Sequence, residues 1–363
     1  MRPLISPTAN PALENALREK LRQREISACG TLGELGPLAV RLGLLQGTLN
    51  PHFEAPQLVV FAADHGLAVD GAQSPTERPT YEQAQLLLTG RAPLASFAQA
   101  QQVRLSVVDC GIAEALPAHR RLLMRKIAHG TRNARVGNAM TRMQAHAGIR
   151  AGMEIGESLP GNLTICAGLG AGSNVSAALV LSRLSGCPVT DLLHAGPEMG
   201  ADRLTQLSRL AQTALRHHSE VFDPIEVLAA LGGFEMAMMV GTMLSAAAKR
   251  HLLVADGLGA CAALRVAAGI DAAVTDYCLF ARSHSHHGLC RALQLFGGSS
   301  MLELGLECAD GTGATLAWPL INCAAALLTV VAEGEAPGPS QPRQAQGSDS
   351  EPIHLELAFP TGY

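Results

Sequence analysis

The chain predicts an α/β fold, a doubly wound and mostly parallel sheet flanked by helices. Three observations carry that prediction. Short apolar runs alternate along the chain with longer stretches of helical periodicity. Aromatic residues make up only 3% of the chain while hydrophobic residues reach 48%, with Ala, Leu, Gly and Val dominant, which suits closely packed helix-on-sheet layers. Polar and glycine-rich segments follow the ends of the apolar runs, where open α/β sheets bind their ligands.

Taken in order, Asn10-Pro11 reads as an N-cap with proline at the first helical position, opening a helix to about Arg24. A second helix is expected over Leu32–Leu45. Leu58–Ala62 is a buried strand that runs into Asp64-His65-Gly66, and similar strands are expected at Leu105–Asp109, Leu163–Ala167, Pro188–Leu193, Leu252–Asp256 and Asp276–Phe280. Helices fall between them at Glu82–Gln101, Thr141–Glu157, Ser176–Leu184, Asp202–Arg216, Phe234–Lys249 and Ala260–Ala268. Thr141 and Gln144 form a capping box at the start of one of these. A long apolar helix follows Gly311-Thr-Gly313; its run Ala314–Ala332 contains Pro319 and Asn322, which favours a core helix over a membrane span.

The 363 residues are expected to form one α/β domain over 1–333, including a small helical subdomain from about 1–50 and the C-terminal part. From Gly334 the composition turns to Gly, Pro, Ser and Gln, the signature of a flexible tail over 334–363. A net charge of −4 without like-charge runs argues against a nucleic-acid partner. Nine cysteines (at 29, 110, 166, 187, 261, 278, 290, 308 and 323) include no C-x-x-C pair and mostly sit in apolar surroundings. They read as reduced thiols of a cytoplasmic protein, and the N-terminus MRPLISPTANP has no hydrophobic signal core.

The chemistry concentrates at Cys308–Ala317, where Asp310 abuts Gly311-Thr312-Gly313 at a helix start. Backbone amides there can face an anion, and a carboxylate beside a phosphate cradle suits proton transfer near a phosphorylated substrate. Capping of the helix by Asp310 is the plain alternative. A second glycine break, Gly168-Leu-Gly170-Ala-Gly172, leads into Ser173 and Asn174 at another helix start. Asp64 with His65, Asp109, the Gly168 loop, Asp256 and Ser283 with His284 lie at strand ends, so one shared site is expected. Glu235, after Gly232-Gly233, reads as a first-turn acid facing its helix dipole. Three crowded histidines (His284, His286 and His287) lack a carboxylate or thiolate at ligand spacing, so no metal and no cofactor are expected.

Together these segments resemble the nicotinate-nucleotide:dimethylbenzimidazole phosphoribosyltransferase family. The resemblance rests on Gly30-Thr-Leu-Gly33, Gln46-Gly-Thr48, Val60-Phe-Ala-Ala-Asp-His-Gly66, Lys126-Ile, Gly130-Thr-Arg-Asn133 and Ala139-Met-Thr141. It continues through Asp223-Pro, Glu226–Glu235, Asp256-Gly257, Ser283-His284 and Gly311-Thr-Gly-Ala314. It implies a homodimer that moves phosphoribose from nicotinate mononucleotide to an azole such as 5,6-dimethylbenzimidazole, releasing nicotinate, in cobalamin lower-ligand assembly. It implies catalysis without a metal, with a glutamate before Gly-Thr-Gly as general base; Asp310 stands at that position. Gly170, Gly172, Ser173 and Gly313 are then expected near the nucleotide phosphate, with Arg209 in reach where the family has lysine.

The chain departs from the family pattern around this site. Asp310 is one methylene shorter than glutamate, roughly 1.5 Å of reach. Gly168 replaces a glutamate, Gly196-Pro-Glu-Met-Gly200 replaces Gly-Arg-Gly-Thr-Gly, and Gln73 stands where the family has serine. Two other readings stand beside the transferase: a weakened or non-catalytic relative that binds a nucleotide or base or takes another acceptor, and a dinucleotide site built on Gly168-x-Gly170-x-Gly172 with Asp191.

Overall fold

The computed structural model describes residues 3–25, 32–73, 77–194, 199–283 and 287–329. The first helices are α1 (Pro11–Glu25) and α2 (Leu35–Gln46), followed by strand β1 (Gln57–Ala63). Next come α3 (Thr80–Leu88), α4 (Pro93–Ala100), β2 (Arg104–Gly111), β3 (Leu122–Met124), α5 (Arg142–Ser158) and β4 (Leu163–Leu169). The helices α6 (Ser173–Ser185), α7 (Val189–Leu193), α8 (Ala201–His217), α9 (Pro224–Leu231) and α10 (Phe234–Ala248) precede β5 (Leu252–Asp256). The chain then passes through α11 (Gly257–Ile270), β6 (Cys278–Arg282), α12 (His287–Gln294), β7 (Ser300–Leu302) and α13 (Thr312–Thr329).

The seven strands lie in the order β3-β2-β1-β4-β5-β6-β7, and every pairing is parallel. The expected sheet is therefore doubly wound, and it is wholly rather than mostly parallel. β1, β4, β5 and β6 are buried along their whole length, as a sheet covered on both faces requires. Successive strands run outward from β1 in one direction and from β4 in the other, so the order reverses between β1 and β4. Their carboxyl ends open the crevice in which such sheets bind ligands. α10 is buried along almost its entire length and packs on one face against β1, β4 and α5. α1, α2 and α13 pack together from the two ends of the described chain. The described residues to Thr329 form one compact unit.

Several expectations need correction. Pro188–Leu193 is helix α7, not a strand, because Val189, Leu192 and Leu193 are the buried residues, at the i, i+3, i+4 spacing of a helical face. The helix expected over Glu82–Gln101 is two, α3 and α4, broken at Gly90 (φ +77°) and restarted by Pro93 at a helix start. α9 begins where Asp223 caps Pro224, its carboxylate accepting from the Ile225 and Glu226 amides. The capping box of Thr141 and Gln144 is present. The tail over 334–363 lies outside the described residues, as do Gly30, residues 195–198 and His284.

Candidate active site

The β1–β4 crevice is built from polar groups that hold backbone. Asp64 follows β1, and its Oδ2 accepts the Ala113 amide at 2.7 Å. Its Oδ1 accepts the Thr80 hydroxyl at 2.5 Å, and the same hydroxyl oxygen accepts the Ala171 amide at 2.9 Å. Thr80 is buried, so one hydroxyl ties the end of β1 to the glycine loop after β4. The loop itself touches β1, since a Cβ on Gly170 would lie 1.8 Å from the Ala63 carbonyl oxygen. Gly172, at φ +83°, is the residue before the first turn of α6 and would crowd the Cβ of His65 if substituted.

His65 is buried, and its Nε2 sits 2.9 Å from Glu235 Oε1. Glu235 is 1% exposed, and its other oxygen has no hydrogen-bond partner among the described residues. A Cβ on Gly233 would come within 2.2 Å of that oxygen and 2.3 Å of His65 Cε1, so glycine there admits the pair. Glu235 is thus half of a buried His–Glu pair below the crevice, beyond the dipole-facing role expected of it. On the β2 side, Asp109 is buried, accepts the Ile112 amide at 3.0 Å and faces Lys126 Nζ at 3.2 Å.

The second half of the site lies at the start of α13. Asp310 is half-buried, and its Oδ1 accepts the Thr312 amide at 3.1 Å and the Thr312 hydroxyl at 2.7 Å. The capping role is therefore real, and both bonds fall on Oδ1. Among the described residues Oδ2 takes no hydrogen bond, which leaves one carboxylate oxygen for a reacting group. Gly311, at φ +102°, would bring a Cβ within 2.6 Å of Leu58 Cδ1 and 3.4 Å of Ala167 Cβ. Ala167 and Gly168 are successive residues of β4 and face opposite sides of the sheet. The Asp310 turn meets the first, while a Cβ on the second would face Met239 and Glu235 of α10.

Asp256 ends β5 and is 1% exposed. Its Oδ1 accepts Arg282 Nε at 2.8 Å and its Oδ2 accepts the Ala314 amide at 3.0 Å. Burial pushes its carboxyl upward, against the pull of Arg282 and the amide. Asp256, expected among the substrate-binding residues, is buried with each oxygen bonded to the protein and so shapes the α13 turn. Ser283 is buried too, and its hydroxyl pairs with Ser300 at 2.9 Å, an anchor for edge strand β7. The Ser173 amide bonds the Gly170 carbonyl and the Thr312 amide bonds Asp310, so two of the amides expected to face an anion are occupied. Asn174 is exposed at the start of α6, next to the half-buried Ser173.

Arg209 is exposed on α8, and its guanidinium makes no hydrogen bond or ion pair among the described residues. Arg203 is the α8 cation that reaches the loop after His65, donating to the Gln73 carbonyl at 2.8 Å. Six residues separate the two, about 600° of helix, which sets them a third of a turn apart. Asp191 lies on α7, not at a strand end, which removes the acidic residue that a dinucleotide reading needs.

Sequence reasoning missed Thr80 and Arg282. A lone threonine at a helix start and a lone arginine ending a buried strand carry no motif signal; only the fold brings them to Asp64 and Asp256.

A phosphoribosyltransferase family model matches residues 6–338. A nicotinate-nucleotide–dimethylbenzimidazole phosphoribosyltransferase of Variovorax paradoxus is 36% identical over 339 residues, covering 93% of this chain and 97% of its own length. One of that name from Cupriavidus necator is 38% identical, covering 90% and 96%. The chain belongs to the nicotinate-nucleotide:dimethylbenzimidazole phosphoribosyltransferase family. Among solved structures, CobT from Thermus thermophilus matches with a TM-score of 0.79 at 30% identity, covering 86% of this chain and 96% of that one.

Family membership gives the departures a location. The glutamate that the resemblance places at Gly168 is absent from the α10 face of β4. Among the described residues a Cβ there would lie 3.1 Å from the movable end of Met239 and 3.8 Å from Glu235 Cγ. The shorter acid, Asp310, lies on the α13 side of the same strand end. The end of β4 is thus approached from two faces, with the altered position on one and Asp310 on the other.

Proposed function

We propose that this protein transfers phosphoribose from nicotinate mononucleotide to 5,6-dimethylbenzimidazole, with nicotinate as the leaving group. The observation that carries this reading is Asp310, a half-buried carboxylate with Oδ2 unengaged, at the glycine turn that opens α13 beside the end of β4. The chemistry balances without a further reactant. An azole ring nitrogen forms a bond to the anomeric carbon as the bond from that carbon to the nicotinate nitrogen breaks. The azole N–H proton passes to Asp310.

Gly172, left-handed at φ +83° before α6, lets a phosphate come close to the backbone at that helix start. We propose no metal requirement, a cytoplasmic setting and a homodimer. The test is purified protein with nicotinate mononucleotide, a chelator and a panel of azoles and phenols, scored by released nicotinate. Release with 5,6-dimethylbenzimidazole supports the reading; release with a different acceptor alone moves the substrate assignment; none with any acceptor contradicts it. Light scattering at micromolar concentration should give twice the chain mass.

A further inference from the structure

Arg282 is among the largest fully buried side chains of the protein and faces no proposed substrate. Its three guanidinium nitrogens are all engaged. Nε pairs with Asp256 Oδ1 at 2.8 Å, Nη1 donates to the Leu306 carbonyl at 2.5 Å, and Nη2 donates to the Cys308 carbonyl. Asp256 Oδ2 then accepts the Ala314 amide at 3.0 Å. One ion pair therefore grips the chain two residues before Asp310 and four residues after it. Gly313 completes the fit, since a Cβ there would lie 2.6 Å from Arg282 Cδ and 3.1 Å from Asp256 Oδ2.

We infer that the Asp256–Arg282 pair is the positioning device that sets the carboxylate of Asp310 for proton abstraction. The inference rests on Asp310 being the base. A buried ion pair is poor evidence for a stability role, because desolvation offsets its attraction. The planar fork of arginine has a geometric use here that lysine cannot reproduce, namely two carbonyls and a carboxylate held at once. A misplacement of about 1 Å at a reacting group costs on the order of a hundredfold in rate. Residues 303–309 are half-buried or exposed and form no helix, and this fork ties the carbonyls of Leu306 and Cys308 to the buried end of β5.

The test is a mutant cycle on the full chain with Arg282→Lys, Asp310→Asn and the double variant. Each is assayed for kcat per nucleotide-binding site, for nicotinate mononucleotide affinity and for melting temperature. Arg282→Lys keeps a charge opposite Asp256 but loses the fork. The expected result is a 10- to 100-fold lower kcat with nucleotide affinity within about twofold of the parent. The double variant should be no slower than Asp310→Asn alone, because a residue acting only through Asp310 has nothing left to position. Parental kcat in folded Arg282→Lys, or losses that multiply in the double variant, would overturn the inference. Should Arg282→Lys fail to fold, Asp256→Asn takes its place in the cycle, since it keeps the shape of the carboxylate that holds Arg282 and the Ala314 amide but removes its charge. If neither variant folds, the pair belongs to the fold and the inference is wrong. Parental turnover in Asp310→Asn sinks the base assignment instead, a separate outcome.

Discussion

The two halves of the crevice are held by different physics. On the β1–β4 side, the glycine loop is held by one neutral hydroxyl and close backbone approach, above the buried His65–Glu235 pair: Thr80 joins Asp64 to the Ala171 amide, and Gly170 lies on the Ala63 carbonyl. On the β5–β6 side a single buried ion pair, Asp256–Arg282, fixes the turn that carries Asp310. The first half is specified by close backbone approach, which tolerates no added atom. The second is specified by charge and fork geometry, which tolerates small shape changes but no loss of donors. Substitutions on the first side should therefore be felt in nucleotide binding and folding, and those on the second in turnover.

The largest expected effect is Gly170→Ala. Its Cβ would sit 1.8 Å from a carbonyl oxygen of β1, so the loop must leave the strand. We expect a loss of about 3 kcal/mol or more of stability and at least a hundredfold in nucleotide affinity, measured by denaturant titration and calorimetry. Parental affinity would show that the glycine loop does not form the nucleotide site.

Thr80→Val should come next. It keeps the shape and removes the hydroxyl, stranding the Ala171 amide and Asp64 Oδ1 at a cost of about 1–3 kcal/mol. Thr80→Ser should recover most of that loss in the same melting experiment. Equal losses in both would mean the methyl packing, not the hydrogen bonds, sets the loop.

The seam between the halves offers the smallest effect. His251, just before β5, is buried with Nδ1 3.1 Å from the Thr164 hydroxyl of β4. Burial, aided by the nearby Lys249 charge, lowers its pKa from 6.5 to about 4. A histidine depressed in the folded state favours folding above its unfolded pKa, and that contribution drains away as pH falls from 6.5 towards 4. Melting temperature should fall over that window in the parent and fall less in His251→Gln. Identical slopes would show that His251 is not the group titrating there.

How much of this was legible in the sequence follows the same division. Strands buried on both faces announce themselves as continuous apolar runs, so β1, β2, β4, β5 and β6 are readable within a few residues. The three-residue edge strands β3 and β7 are too short to show a period, and the run at Val189–Leu193 is apolar at helical spacing. Asp64, His65, Asp310 and the glycines stand at readable strand ends or helix starts. Arg282 and Asp256 are 26 residues apart, and only the parallel pairing of β5 with β6 makes them partners. Arg203 and Arg209 lie on the same helix, and choosing between them required knowing which face of α8 meets the loop.

The role of Asp310 as general base is tested most directly by single-turnover release of nicotinate from the parent and Asp310→Asn. With nucleotide and 5,6-dimethylbenzimidazole both saturating, a general base contributes roughly a hundred- to ten-thousandfold. Losing its helix-capping role costs only about 1 kcal/mol. The predicted result is a rate lower by at least a hundredfold in a variant that melts within a few degrees of the parent and still binds nicotinate mononucleotide. A rate within a few fold of the parent would place the base elsewhere and leave Asp310 as a helix cap.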